Sequence, residues 1–301
     1  MKIAKIALIV IVFALTASAL LLVLTGNSQQ NGKTGKLKVV TSIFPLTDIT
    51  KNIAGDKVEI VQLLPAGASE HTFELNIEQR RELEGADLGI IVGAGLDDKW
   101  AGPLFKEQGS EVLDLSGAVE LRRNDEDEIE AYGEFDPHYW LTVQNAKIIA
   151  TVITDKLAEL DKTNTDLYRS NLADYLAQLD ILQGDINRTL NNISTRKLIT
   201  FHEAFAYFAE EFNLEVVATI EPFPGKEPTS QYLAEVVRIV QGNNVGALFK
   251  EPQLSDSVVK SLAEDYGITV YTLDPVGGID QRTSYVELMR YNAATIAQAL
   301  K

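Results

Sequence analysis

The longest periodic stretch in the chain constrains its fold more than any short motif. From about Thr165 to Ile193, the residues Leu167, Leu172, Tyr175, Leu176, Leu179, Leu182, Ile186 and Leu190 recur largely at spacings of three and four, the pattern of one amphipathic helix. Nearly thirty residues would span roughly 43 Å at 1.5 Å each, a length suited to bridging two lobes. Short apolar or β-branched runs alternate with helical patterns on both sides. Before it come strands at Leu37–Ser42, Val58–Leu64, Leu88–Val92 and Val112–Leu115, with helices over Leu46–Ala54, Ile77–Glu84 and Val143–Leu160. After it come strands at Lys197–Phe201, Glu215–Ile220, Val245–Phe249 and Thr269–Leu273, with helices over Phe205–Phe212, Ser230–Val240, Val258–Tyr266 and Tyr285–Leu300. Strand–helix alternation with short connections predicts an α/β fold with a parallel sheet flanked by helices in each lobe. The first lobe is expected over 37–162, a rigid linking helix over 163–194, and the second lobe over 195–301.

Composition narrows the function classes. A formal net charge of −16 with no concentrated Lys/Arg face argues against a nucleic-acid partner and suits a cation. The chain has no cysteine, which excludes disulfides, thiolate zinc sites, iron–sulfur clusters and thiol catalysis. Lys2 and Lys5 precede an unbroken apolar run from Ile6 to Leu24, the pattern of a secretory signal that is also near bilayer-spanning length. Residues 1–26 are therefore expected to be a signal or anchor segment and 27–36, rich in Gln, Asn, Gly, Ser and Lys, a flexible tether. Leu24-Thr25-Gly26-Asn27 has the shape of a bacterial lipoprotein box, but Asn27 stands where the lipid-carrying cysteine would be, so acylation there is impossible. The favoured expectation is an extracytoplasmic protein held by an uncleaved N-terminal segment. Gly93-x-Gly95 lacks the third glycine and the later acidic residue of a dinucleotide fingerprint. Asn124 to Glu130 is an acidic run, expected to be a solvated loop that could also concentrate cations near the next motif.

The chain is histidine-poor, with only His71, His138 and His202. Each of these, and Asp274, falls just past an apolar run or in a turn before a helix, where side chains of α/β proteins converge on a ligand. Two come from each lobe. Any one histidine is more often a packed or surface residue; it is the set that carries the inference. Three neutral imidazoles and one carboxylate make a four-coordinate set suited to Zn²⁺, whereas oxygen-rich sites favour manganese. Glu203, Glu251 and Asp136 are candidates to orient a ligand imidazole, Glu251 the foremost. Asp136 before Pro137 could equally be fixing a turn, and Tyr139 and Trp140 are read as core or interface aromatics.

Five segments, Pro65-Ala66-Gly67-Ala68-Ser69-Glu70-His71-Thr72-Phe73-Glu74, Asp136-Pro137-His138-Tyr139-Trp140-Leu141, Phe201-His202-Glu203-Ala204-Phe205, Phe249-x-Glu251-Pro252-Gln253 and Leu273-Asp274-Pro275 with Gly277-Gly278, together resemble the zinc/manganese solute-binding proteins of ABC importers (cluster A-I). The resemblance runs from about Leu37 to Lys301. It implies two α/β lobes joined by one rigid helix, an ion in the cleft held by His71, His138, His202 and Asp274, a monomer, and delivery to a membrane permease. Manganese members usually carry glutamate where this chain has His202, which points to Zn²⁺ as the transported ligand, with Mn²⁺ or Fe²⁺ as the alternative. Many zinc members have a histidine-rich loop before the second ligand, and the acidic run stands there instead. A surface adhesin using the same site is the other reading, which an adjacent permease and ATPase gene would disfavour. A zinc hydrolase is disfavoured, because His202-Glu203 is followed by Ala206 where a metalloprotease helix needs its second histidine. No enzymatic activity is expected.

Overall fold

The computed structural model describes residues 35–124, 133–221, 225, 228–243, 246–255 and 257–301. The N-terminal segment and most of its tether lie outside these residues, as does the acidic run beyond Asn124. Leu37–Lys301 form one compact unit. Among the described residues no helix is long and apolar enough to cross a membrane.

The first half opens with β1 (Leu37–Thr41), α1 (Phe44–Ala54) and β2 (Val58–Gln62). It continues with α2 (Ile77–Glu82), β3 (Leu88–Ile91), α3 (Gly102–Glu107) and β4 (Glu111–Asp114). The four strands form one parallel sheet in the order β2-β1-β3-β4, and β3 is buried along its whole length, as parallel strands covered on both faces must be. Two long helices follow, α4 (Val143–Leu160) and α5 (Thr165–Leu190). The second half adds β5 (Lys197–Thr200), α6 (Ala206–Glu211), β6 (Glu215–Thr219), α7 (Ser230–Asn243), β7 (Ala247–Lys250), α8 (Ser257–Tyr266), β8 (Thr269–Thr272) and α9 (Tyr285–Ala299). Here the strands pair in parallel as β5-β6 and β7-β8, with β5 lying against β7. The β5 strand also carries a register irregularity between Leu198 and Ile199.

Helix α5 is the expected long element, with 26 residues and a length of about 39 Å. It buries Tyr168, Tyr175, Leu179, Leu182, Ile186 and Leu190, and packs on α1 and α4 of the first half and on α9 of the second. It stops at Leu190, three residues short of the periodicity, where Asn191 and Asn192 follow and Arg196 Nη2 donates to the Leu190 carbonyl at 3.3 Å. Buried polar contacts also tie the halves together. Trp140 Nε1 donates to the Pro275 carbonyl at 2.8 Å, and the Tyr285 hydroxyl lies 2.8 and 2.9 Å from the carbonyls of Trp140 and Thr142.

The Gly93-Ala94-Gly95 turn after β3 has φ above zero at all three residues. The Gly93 amide that opens it is already occupied. Asp97, fully buried, takes the Val92 and Gly93 N–H groups at 2.8 and 2.7 Å.

Candidate metal centre

Each candidate residue sits on a loop that leaves the carboxyl end of a parallel strand or opens a helical turn, the side of such sheets where ligands bind. The chain beyond β2 turns at Pro65 to Ala68, with Gly67 at φ +80, and delivers Glu70 and His71. Ser69 Oγ holds the His71 amide at 3.3 Å. His138 stands at the entry to a short 3₁₀ turn, Tyr139–Leu141, and its own amide donates to Asp136 Oδ1 at 2.9 Å. His202 lies two residues beyond β5, Glu251 directly after β7, and Asp274 two residues beyond β8.

The three imidazoles converge. His71 Nε2 is 3.0 Å from His138 Nε2, which is 3.3 Å from His202 Nε2. Donors about 2.0–2.1 Å from a tetrahedral ion would stand about 3.3–3.4 Å apart; the 3.3 Å spacing matches that and the 3.0 Å spacing is a little shorter, so the three nitrogens are close enough to share one cation. Glu70, His71, His138 and His202 offer donor atoms that all lie within 4.8 Å of one another. His138, His202 and Glu70 are fully buried, and the His71 side chain is 13% exposed, the one imidazole edge reached by solvent.

The far nitrogens are also assigned. Asp136 Oδ1 accepts from His138 Nδ1 at 2.8 Å, and Glu251 Oε1 from His202 Nδ1 at 2.7 Å. In the neutral ring each bond places the proton on Nδ1 and leaves Nε2 to face the centre, and it raises the ring's donor strength. Asp136 therefore serves the turn and the imidazole together. Trp140 and Tyr139 pack behind, fully buried, with the indole 5.3 Å from the His138 ring and the Tyr139 hydroxyl on the Val92 carbonyl at 2.6 Å.

Burial drives His71 and His138 well below the usual histidine range, and the neighbouring imidazoles push the same way. His202 runs opposite. Burial alone would lower it, but the charge and hydrogen bond of Glu251, with Glu70 and Glu203 behind, raise it to about 9. Burial also lifts the Glu70 and Asp136 carboxyl groups, each to about 7. Glu251 thus favours the charged form of His202 while burial keeps the other two rings neutral, an arrangement in which one cation can take the place of that positive charge.

Asp274 is brought to the same region but is not one of the four mutually close donors. Its Oδ1 accepts from Gln253 Nε2 at 2.7 Å and from the Val276 and Gly277 amides at 3.1 and 2.9 Å. Its Oδ2 makes a close ion pair with Arg282 Nε at 2.7 Å, off the line of a regular hydrogen bond. Glu70 and Arg282 are the two residues that sequence reasoning did not single out. Glu70 had a visible signal, a carboxylate adjoining a histidine in a Pro/Gly turn.

Three imidazoles, flanking carboxylates and short loops on parallel strands define a receptor for a divalent metal. Residues 39–299 match the family model described as ZnuA, zinc-uptake complex component A, periplasmic, and the chain belongs to that family of metal ABC importer solute-binding proteins. It is 29% identical to the manganese ABC transporter substrate-binding lipoprotein PsaA of Streptococcus mitis, over 96% of this chain and 97% of that protein. It is 27% identical to the high-affinity zinc uptake system protein ZnuA of Bacillus subtilis, over 96% of each chain. A solved structure described as the crystal structure of ZnuA superposes with a TM-score of 0.80 at 29% identity, covering 88% of this chain and all of that one. These relatives are substrate-binding proteins of importers, not enzymes. Identity is nearly equal to proteins named for manganese and for zinc, so overall similarity does not separate the two metals.

Proposed function

We propose that this protein captures Zn²⁺ outside the cytoplasm and hands it to the permease of an ABC importer. His71, His138 and His202 would supply three nitrogens, and a carboxylate, Asp274 by the family motif or its neighbour Glu70, the fourth donor. The observation that carries the reading is the convergence of three Nε2 atoms at 3.0 and 3.3 Å. A nitrogen-rich, four-donor set favours zinc over manganese, whose preferred ligands are oxygens. The lobes would be 37–162 and 195–301 with 163–194 between them, and residues 1–26 would hold the monomer at the membrane without a lipid.

Competition titration of the wild type and His202→Ala with Zn²⁺ and Mn²⁺ tests this. The expected result is a preference for Zn²⁺ in the wild type and at least a tenfold loss of Zn²⁺ affinity in the variant. Unchanged Zn²⁺ affinity on losing His202 would mean that the site lies elsewhere.

A further inference from the structure

The chain that enters His138 is held from the other half of the molecule. Arg122 and Asp136 face each other across a short antiparallel ladder, in which the Asp136 amide donates to the Arg122 carbonyl at 3.0 Å and Arg123 bridges Phe135. A regular pair would return the Arg122 N–H directly to the Asp136 carbonyl. Here the Tyr207 hydroxyl stands between them, accepting from the Arg122 N–H at 2.8 Å and donating to the Asp136 carbonyl at 3.0 Å. Tyr207 is 5% exposed, and the Arg122 guanidinium lies 5.8 Å over its ring while pairing with Glu210 at 2.9 Å.

That carbonyl belongs to the Asp136–Pro137 peptide. The peptide has no N–H, so its carbonyl is the one polar group by which its plane can be fixed. The same Asp136 carries Oδ1, which accepts from the His138 amide and from His138 Nδ1 at 2.9 and 2.8 Å. Turning the peptide would turn both bonds, and the ring with them. Tyr207 is the second residue of α6, the helix that follows His202. The far end of α6 is anchored in the first half as well, where Glu211 takes the Val143 and Gln144 amides at 2.7 and 3.1 Å. One short helix thus joins the loop of one imidazole to the turn of the other, and their Nε2 atoms stand 3.3 Å apart.

We propose that Tyr207 is a positioning residue for ion retention: its hydroxyl fixes the Asp136–Pro137 peptide and thereby the aim of the His138 imidazole toward His202. The inference rests on the assignment of those two imidazoles as ligands. Loss of the hydroxyl leaves every ligand and both carboxylate partners of the imidazoles in the chain, so capture is little changed. The ion leaves faster, because a ligand with loosened support loses its hold mainly through the dissociation rate.

Stopped-flow measurement of Zn²⁺ association, and of Zn²⁺ release into excess chelator, tests this. The variants are Tyr207→Phe, Asp136→Ala, their double variant, Tyr285→Phe and Arg122→Gln, with folding followed by circular dichroism. Tyr207→Phe should release Zn²⁺ at least about tenfold faster, with association changed by less than about threefold. In the Asp136→Ala background the same change should speed release by less than about threefold, because the link from peptide to imidazole is already gone. Tyr285→Phe removes another buried hydroxyl that joins the halves, but one that bonds Trp140 and Thr142 rather than Asp136, and its release should stay within about threefold of wild type. Arg122→Gln, at a half-exposed side chain, frees the ring without removing the hydroxyl and should speed release at least about threefold. The proposal is overturned if folded Tyr207→Phe releases Zn²⁺ at the wild-type rate, if its effect is undiminished in Asp136→Ala, or if Tyr285→Phe speeds release as much. Where Tyr207→Phe does not fold, a wild-type release rate in Arg122→Gln overturns it. A His202→Ala variant that keeps the wild-type affinity for Zn²⁺ overturns the imidazole assignment and this proposal with it, whereas a weakened His202→Ala beside an unaltered Tyr207→Phe overturns this proposal alone.

Discussion

At the scale of single residues, the pairing of His202 with Glu251 decides how the cluster responds to pH. In the ion-free protein His202 is raised from 6.5 to about 9, so its contribution to stability is complete below about 6.5 and is lost as pH rises through about 9. Ion affinity runs the other way. Below about 9 binding must expel the His202 proton, so affinity should fall about tenfold per pH unit, and more steeply below about 7 where Glu70 also takes a proton. Calorimetric titration at pH 7.5 in buffers of different ionisation enthalpy should register about one proton released per Zn²⁺ bound; no release would contradict the assignment. Glu251→Gln removes the charge but keeps an acceptor, and should cost about 10–100-fold in Zn²⁺ affinity by competition titration. The three histidines were legible in the sequence because so few exist. Their carboxylate partners were legible only as a short roster of three, since which acidic residue reaches an Nδ1 depends on how β5 and β7 lie side by side. Nothing local marked Arg282, which reaches Asp274 across a Gly-rich loop with no periodicity.

At the scale of elements, the loops are rigid because buried polar contacts hold them. The Tyr285 hydroxyl, at the start of α9, shares its proton between the carbonyls of Trp140 and Thr142, the segment just after His138. Tyr285→Phe leaves those buried carbonyls short of a donor and should lower stability by about 1–3 kcal/mol in urea unfolding. It should change Zn²⁺ affinity far less than Glu251→Gln, because the Asp136 bond to His138 remains. Most of the element order could be read from apolar periodicity, including α5 and the buried β3, but not α3, whose six residues Gly102–Glu107 are too few to show a period. Two further features could not be read. Strands of four residues such as β5 and β7 carry too little pattern to reveal that the second half's sheet divides into two pairs. Helix ends also depend on caps. The residues after Leu190 keep an apolar Ile193 in phase, yet two asparagines and the Arg196 bond to the last carbonyl end the helix first.

At the scale of the whole molecule, α5 packs on helices of both halves while the proposed ligands come from both, so ion binding should stabilise the fold as a unit. An ion at 100 times its dissociation constant contributes about 2.7 kcal/mol. Stripping it with a chelator should lower the melting temperature by roughly 5–10 °C, at about 2–4 °C per kcal/mol for a chain of this size. An unbroken 26-residue helix shared between the halves also limits how far they can part. Hydrogen exchange should show local loosening of the ligand loops on ion release, without exposure of the α5 face that carries Tyr175 and Leu182. The Trp140 indole, fully buried and 5.3 Å from the His138 ring, is one of only two tryptophans, the other being Trp100 against Phe73. That placement turns the protein into its own optical sensor. In Trp100→Phe a single indole would sit beside the ion, dimmed stoichiometrically by paramagnetic Co²⁺ and left bright by closed-shell Zn²⁺, so that occupancy could be followed through every variant without adding a dye.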